Sequence, residues 1–251
     1  MLNRQDGPRE ILRRLARRLL TPCQTTLDGV IVPLSELPLT TRMKRRICSG
    51  GYEQHERRLL PGFMEKGDHV LEIGASVGII SSLLLKGIGP TGRVVAVEAN
   101  KALAAPFRRQ LEVNGLACDC VTCACVPVWG SEFGVNGFVS FRPTGNSLEG
   151  KIVGDSNSGL GAVPLRSAGD ICRGLDFTPN ALVCDIEGSE RVWIDHAEAI
   201  PATIDKVLVE FHPWIDGPVA AGQSLAALGR AGFEIRAFSG TVFDLRRTPA
   251  R

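Results

Sequence analysis

The chain has 251 residues, 44% hydrophobic and 22% charged, with a formal net charge of +2. That length suits one large α/β domain or two small ones, and the composition is that of an ordinary globular protein. No apolar run approaches the roughly 18–20 residues of a membrane-spanning helix. Arginines interrupt the N-terminal stretch REILRRLARRLL, which argues against a secretory signal and makes cytoplasm the expected compartment.

The charge is unevenly spread. Residues 1–60 hold 12 Lys/Arg against 6 Asp/Glu, and the rest of the chain is net acidic. Ile11, Leu12, Leu15 and Leu19 recur at helical spacing with arginines opposite, which predicts a basic helical extension or cap over 1–60. Such a helix packs on the domain or pairs two copies of the chain. No aromatic residues interleave with its arginines, so a nucleic-acid partner is not expected.

From residue 69 a rhythm of strands and helices begins. HVLEIG predicts a strand, SVGIISSLLLKG a helix ending at Gly87, RVVAVEA a second strand, and KALAAPFRRQLEVNG a second helix closed by Gly115. CVTCACV predicts a third strand. Its cysteines, with Cys118 before them, lie too close together for paired zinc knuckles, so buried reduced thiols are expected. The Gly/Ser/Asn-rich stretch 127–161 breaks the pattern and is expected to be a substrate loop, with FVSFR as a short hairpin arm. The rhythm resumes with the strand ALVCDI, a helix through SERVWIDHAEAI, the strand KVLVEFH, a helix through PVAAGQSLAALGRAG, and two strands joined at Ser239-Gly240. Continuous apolar strands alternating with amphipathic helices predict a doubly wound, largely parallel sheet with an antiparallel edge.

The turn between the first strand and helix, VLEIGASVGII, is the most informative stretch. Glycines allow a tight turn, and the helix N-terminus offers free N–H groups. A dinucleotide fingerprint would place glycine at 76 and 79, where Ser76 and Ile79 stand. The pattern is instead acid-x-Gly-x-x-x-Gly, with Glu72 before Gly74, Ala75, Ser76 and Gly78. A carboxylate there repels phosphate and suits an ammonium group. The second strand ends at Glu98-Ala99, where an acid can accept both hydrogen bonds of a ribose diol. An acid for an ammonium and an acid for a ribose together fit S-adenosylmethionine (SAM).

These segments, with LEVNGL, LVCDIEGSE and VLVEFH following in order, resemble the FkbM-type family of class I methyltransferases from about residue 52 to the end. The resemblance implies a seven-stranded Rossmann-like sheet of order 3-2-1-4-5-7-6 over 61–251, and methyl transfer from SAM to a hydroxyl of a small molecule, commonly a sugar or secondary metabolite. The family usually has Asn at the position of Ser76 and Glu-Pro at Glu98-Ala99.

A hydroxyl acceptor needs its proton removed by a base or a Lewis-acid metal. In this strand order Asp185 and Glu187 stand at the lip beside the Gly74–Gly78 turn, and Glu210 and His212 across the crevice. These four are the expected catalytic residues, with Asp185 also facing the cofactor. His212 is attractive because an unperturbed imidazole titrates near pH 6.5, by rough reference value. Glu190 is expected only to support the next helix. A divalent metal on Asp185, Glu187 and Glu210 is the less favoured alternative to a metal-free site. At the level of function, the alternatives are a nicotinamide-dependent oxidoreductase and a non-catalytic methyltransferase-like scaffold.

Overall fold

The computed structural model describes residues 22–129, 137–143, 150–155, 162–186 and 191–248. The arginine-rich helix expected near residues 11–19 therefore lies outside the described residues. So do Glu187 and Glu190.

A seven-stranded sheet organises the chain. Its members are β3 (His69–Ile73), β4 (Arg93–Glu98), β5 (Asp119–Thr122), β10 (Ala181–Cys184), β11 (Lys206–Glu210), β12 (Phe233–Ser239) and β13 (Val242–Arg247). Across the sheet they run β5-β4-β3-β10-β11-β13-β12. These labels depart from the expected 3-2-1-4-5-7-6 because strands outside this sheet intervene along the chain; numbered within the sheet alone, the strands run 3-2-1-4-5-7-6. β13 is antiparallel to both β11 and β12, and the other pairings are parallel. The result is a Rossmann-like α/β sheet.

The continuous apolar strands are explained by burial on both faces. Period-two alternation sends Val70, Ala96, Ala181, Val183 and Leu208 into one core layer. Leu71, Val95, Val97, Leu182 and Val207 go into the other. The first layer is covered by α2 (Gln54–Phe63), α3 (Ile79–Ile88) and α4 (Ala104–Glu112), through Phe63, Leu84 and Phe107 among others. The second is covered by α5 (Ala168–Gly174) and α7 (Pro218–Arg230), through Ile171 and Leu228. α3 runs past Gly87 and stops at Gly89, whose φ of 77° lies in the left-handed region that glycine enters freely.

Four expectations are corrected. The segment 1–60 is not purely helical: β1 (Thr25–Leu27) and β2 (Val30–Val32) form a hairpin before α1 (Thr41–Cys48). Its apolar residues Leu27, Val30 and Val32 are buried in the first core layer, which ties this part of the arm to the domain. The run CVTCACV is two strands rather than one. Cys123 still donates its N–H to Glu98 O at 3.1 Å, and then the chain leaves the sheet. Cys118 and Cys120 pack on one core layer, Cys123 and Cys125 on the other, and all are free thiols. Within 127–161 the described residues include β7 (Gly137–Pro143) and β8 (Gly150–Asp155). With β6 (Ala124–Val126) and β9 (Ala162–Ser167) they build a second sheet of order β6-β9-β7-β8. Of the helix expected through SERVWIDHAEAI, the described residues from 191 hold a short α6 (Val192–His196) that continues as a 3-10 turn.

At the N-terminal ends of the central strands a buried polar network fixes the register. Lys206 on β11 is 1% exposed, with Nζ 2.8 Å from Asp68 Oδ1. Asp68 also accepts Asn180 Nδ2 at 2.9 Å, and Asn180 Oδ1 accepts the His69 N–H at 2.7 Å. One ion pair thus joins the entrances of β3, β10 and β11. Removing one partner of a buried pair leaves an uncompensated charge, so Lys206→Ala is expected to lower unfolding stability by about 3–5 kcal/mol. Urea denaturation checks this, and the double variant Lys206→Met, Asp68→Asn should recover most of the loss. An unchanged midpoint for Lys206→Ala would show that the network does not hold the strands.

Candidate functional site

The C-terminal ends of β3, β4, β10 and β11 meet at one lip of the sheet. The turn after β3 crosses the end of β10 at close range. Asp185 N–H donates to Ile73 O at 2.9 Å, and Gly74, at φ 94°, lies so near that a Cβ there would land on the Asp185 carbonyl. Gly74 is therefore required both for its backbone conformation and for the approach of the two strands. Gly78, at φ 82°, begins α3, and a Cβ there would press on the Phe107 ring. Ser76 between them adopts φ 50°, a conformation that costs a residue with a Cβ about 1–2 kcal/mol.

Glu98 clasps this turn. Its Oε2 accepts the Ser76 N–H at 2.8 Å and its Oε1 accepts the Asn100 N–H at 2.6 Å. The carboxylate is 8% exposed, and burial raises its pKa against the opposing pull of those backbone bonds. With the Ala99 N–H as a third donor, one of the carboxylate's roughly four acceptor positions stays open, so the group can hold the turn and still accept from an entering hydroxyl. The residues at this lip therefore fit the ribose of a bound nucleoside. Ala99 continues from Glu98 and contributes its N–H to the same carboxylate.

Glu72 behaves differently from the sequence expectation. It is 2% exposed and accepts a hydrogen bond from Ser81 Oγ of α3 at 2.5 Å. Burial pushes its pKa up to about 8, against the lowering effect of Ser81. Near neutral pH it is mainly an uncharged carboxyl beneath the turn, and a weaker partner for an ammonium than an ionised acid would be.

On the other side of the turn, Asp185, Glu210 and His212 converge. One potential ligand atom from each lies within 4.8 Å of the others. His212 Nε2 stands 3.5 Å from Asp185 Oδ1; the imidazole side chain is 4% exposed and the carboxylate 30%. Glu210 and His212, two apart at the end of β11, face the same point, while Phe211 between them packs into the second core layer. Trp214, 67% exposed, meets the His212 ring edge to face at 5.2 Å.

Several residues of this cluster were not singled out from the sequence. Tyr52, Glu53 and Glu56 come from the start of α2, on the otherwise basic arm. Tyr52 is buried, its phenol meets Glu53 and Ser76, and burial raises its pKa. Burial first, then Glu56, pushes Glu53 well above the usual carboxylate range. Glu210 is pushed up to about 11 by burial, by a hydrogen bond with Glu56, and by the charges of Asp185 and Glu56; a hydrogen bond from Thr241 Oγ1 at 3.2 Å opposes this. The available signal was the pair of acids in YEQHE, inside a segment where basic residues dominate. Glu187, expected here, lies outside the described residues.

Residues 52–140 match the family model of protein-L-isoaspartate(D-aspartate) O-methyltransferase, a little over a third of the chain. No match was found among curated proteins. Among solved structures, the chain is similar to Aeropyrum pernix fibrillarin in complex with S-adenosyl-L-methionine, at 14% identity and a TM-score of 0.41, covering 72% of this chain and 66% of that one. A ribosomal protein L11 methylase from Lactobacillus delbrueckii subsp. bulgaricus is similar at 14% identity and TM-score 0.44, covering 79% and 81%. A precorrin-6y C5,15-methyltransferase from Geobacter metallireducens is similar at 11% identity and TM-score 0.42, covering 77% and 85%.

The state of Glu72 predicts a pH dependence of stability. Its folded pKa of about 8 lies above the unfolded value of 4.5, so between these the folded chain keeps a proton that the unfolded chain releases. Its contribution therefore weakens as pH rises from 4.5 to 8 and levels off above, with a slope of at most about 1.4 kcal/mol per pH unit. Glu72→Gln keeps a partner for Ser81 and removes the titration. Urea midpoints across that range should match wild type at the acid end and exceed it increasingly toward pH 8; parallel curves would show that Glu72 is ionised in the folded chain.

Proposed function

We propose that the chain is a SAM-dependent methyltransferase that moves a methyl group to a hydroxyl of a small molecule. The observation that carries the reading is the Glu98 clasp on the Gly74–Gly78 turn, one strand away from the Asp185–Glu210–His212 cluster. The partial match to an O-methyltransferase family model supports the same class of reaction. When bound, SAM supplies an electrophilic methyl group on a sulfonium, and transfer is an in-line displacement governed by positioning.

The chain's own residues divide the work. Glu98 accepts the ribose diol and keeps the turn closed through Ser76 N–H. Gly74 lets the turn lie against Asp185, which fixes the distance between cofactor floor and acceptor lip. The Asp185–Glu210–His212 group takes the acceptor's proton, with Asp185 orienting the His212 ring.

The charge of the lip favours a hydroxyl over a carboxylate acceptor. An ionised acceptor needs no base and would enter against Asp185 and Glu56. A neutral hydroxyl meets no such repulsion and needs the proton removal that His212 offers. The exposed face of Trp214 beside His212 provides a flat apolar surface suited to one side of a sugar or aromatic ring.

Calorimetry is expected to show binding of SAM and of its demethylated product, weakened at least tenfold by Glu98→Ala. Absence of binding to either compound would overturn the reading. With methyl-labelled SAM and an acceptor found among hydroxylated sugars and aromatic metabolites, His212→Ala should lower kcat at least a hundredfold with SAM affinity unchanged. Turnover like wild type would remove His212 from the reaction.

A further inference from the structure

We propose that Asp185, Glu210 and His212 form a binding site for a first-row divalent transition-metal ion, with Glu56 completing or supporting its coordination. Three ligand atoms, two carboxylate oxygens and one imidazole nitrogen, already lie within 4.8 Å of one another. Donors around a common ion at about 2.1 Å stand roughly 3–4 Å apart, so small side-chain rotations close the set. The three residues come from the ends of adjacent parallel strands, β10 and β11, and from the step just beyond, so the backbone holds them rigidly.

The second observation is independent of that triad. Glu56 comes from α2, is 6% exposed, and leaves its buried Oε1 without a hydrogen-bond partner. Its carboxyl reaches the cluster, where it meets Glu210. A buried carboxylate oxygen with no donor beside two other acids is an arrangement that a cation resolves. Glu53 adds a further acid near Asp185 and Glu56.

The donor set also indicates the kind of ion. Magnesium and calcium favour all-oxygen shells, whereas one imidazole among carboxylates suits manganese, iron(II) or zinc. This set differs from the alternative drawn from the sequence, since His212 and Glu56 take the place of Glu187. Asp185 is 30% exposed, so the ion would keep a side open to solvent and to an entering hydroxyl. That last role rests on the methyl-transfer reading: the ion would hold the acceptor oxygen and make its proton easier to lose. The site itself does not depend on it.

The test uses the full chain stripped with a chelator, dialysed, and titrated with Mn2+ while free Mn2+ is followed by electron paramagnetic resonance, with Zn2+ as competitor. One Mn2+ per chain is expected with micromolar affinity, displaced by Zn2+. Asp185→Asn and Glu210→Gln, isosteric changes that keep the packing, should each weaken binding at least tenfold, and Glu56→Gln several-fold. Circular dichroism and urea midpoints establish that the variants are folded. Affinity weaker than millimolar in wild type, or binding unchanged in both Asp185→Asn and Glu210→Gln, overturns the proposal. Calorimetry with SAM on the same metal-free sample separates the two ideas. If SAM binds and Mn2+ does not, the metal site fails and the methyltransferase reading stands; if Mn2+ binds and SAM does not, the metal site stands and the methyltransferase reading fails.

Discussion

The contact between Gly74 and the Asp185 carbonyl is the constraint on which the site depends. β3 and β10 are parallel neighbours, and each exits at the same edge of the sheet, Ile73 opposite Cys184. A turn leaving β3 must cross the end of β10, and only a residue without Cβ can do so at this distance. The crossing puts Asp185 beside the turn, with Glu98 on one flank of it and the end of β11 on the other. Everything else at the lip is arranged around that crossing. Ser76 in its left-handed conformation presents an N–H to Glu98, and Tyr52 closes over from the arm.

A second constraint is charge. Glu53, Glu56, Glu72, Glu98, Asp185 and Glu210 gather within one end of the domain, and isolated ionised carboxylates cannot be buried at such density. The fold manages this in two ways. Glu98 is supported by backbone N–H donors, which stabilise its charge. Glu72 and Glu210 are held largely as neutral acids by burial, so their protons take the place of counter-ions. The arrangement is therefore sensitive to what enters it. A cation or a positively charged cofactor relieves the crowding, and an anion aggravates it.

The sheet was legible from sequence because its signals are local and repeated. RVVAVE, ALVC and KVLVE each carry an unbroken apolar run, HVLEI one interrupted only by Glu72, and burial on both faces is the reason such runs exist. The glycines at 74 and 78 and the acid at 98 were legible for the same reason, since backbone conformation and strand ends leave marks at fixed spacing. The arm and the second sheet were not. Residues 25–32 form a hairpin whose three-residue strands are too short to show a period, and the Gly-rich stretch that forms β7 and β8 is dominated by turn formers. CVTCACV has the composition of one strand, but tertiary pairing of Ala124–Val126 with β9 divides it. Glu72 illustrates the converse limit. Its position was evident, but its ionisation depends on burial beneath α3, which no spacing in the sequence encodes.

The arm acquires a different meaning once Glu53 and Glu56 are placed. Its basic residues suggested a surface facing outward, and several of them indeed serve the arm itself. Arg57 pairs with Asp28 at 2.6 Å and donates to the carbonyls of Gly50 and Tyr52. Those bonds hold the loop that leads into α2, where Glu53 follows Tyr52 at φ 42°. The arginine thus sets the approach of two acids and a phenol to the lip, although it touches none of the groups that would react. A segment that looks appended to the domain by composition is, by contact, one wall of its site. The C-terminal strand ends supply the opposite wall, and the interior between them is acidic because both walls contribute carboxylates to it.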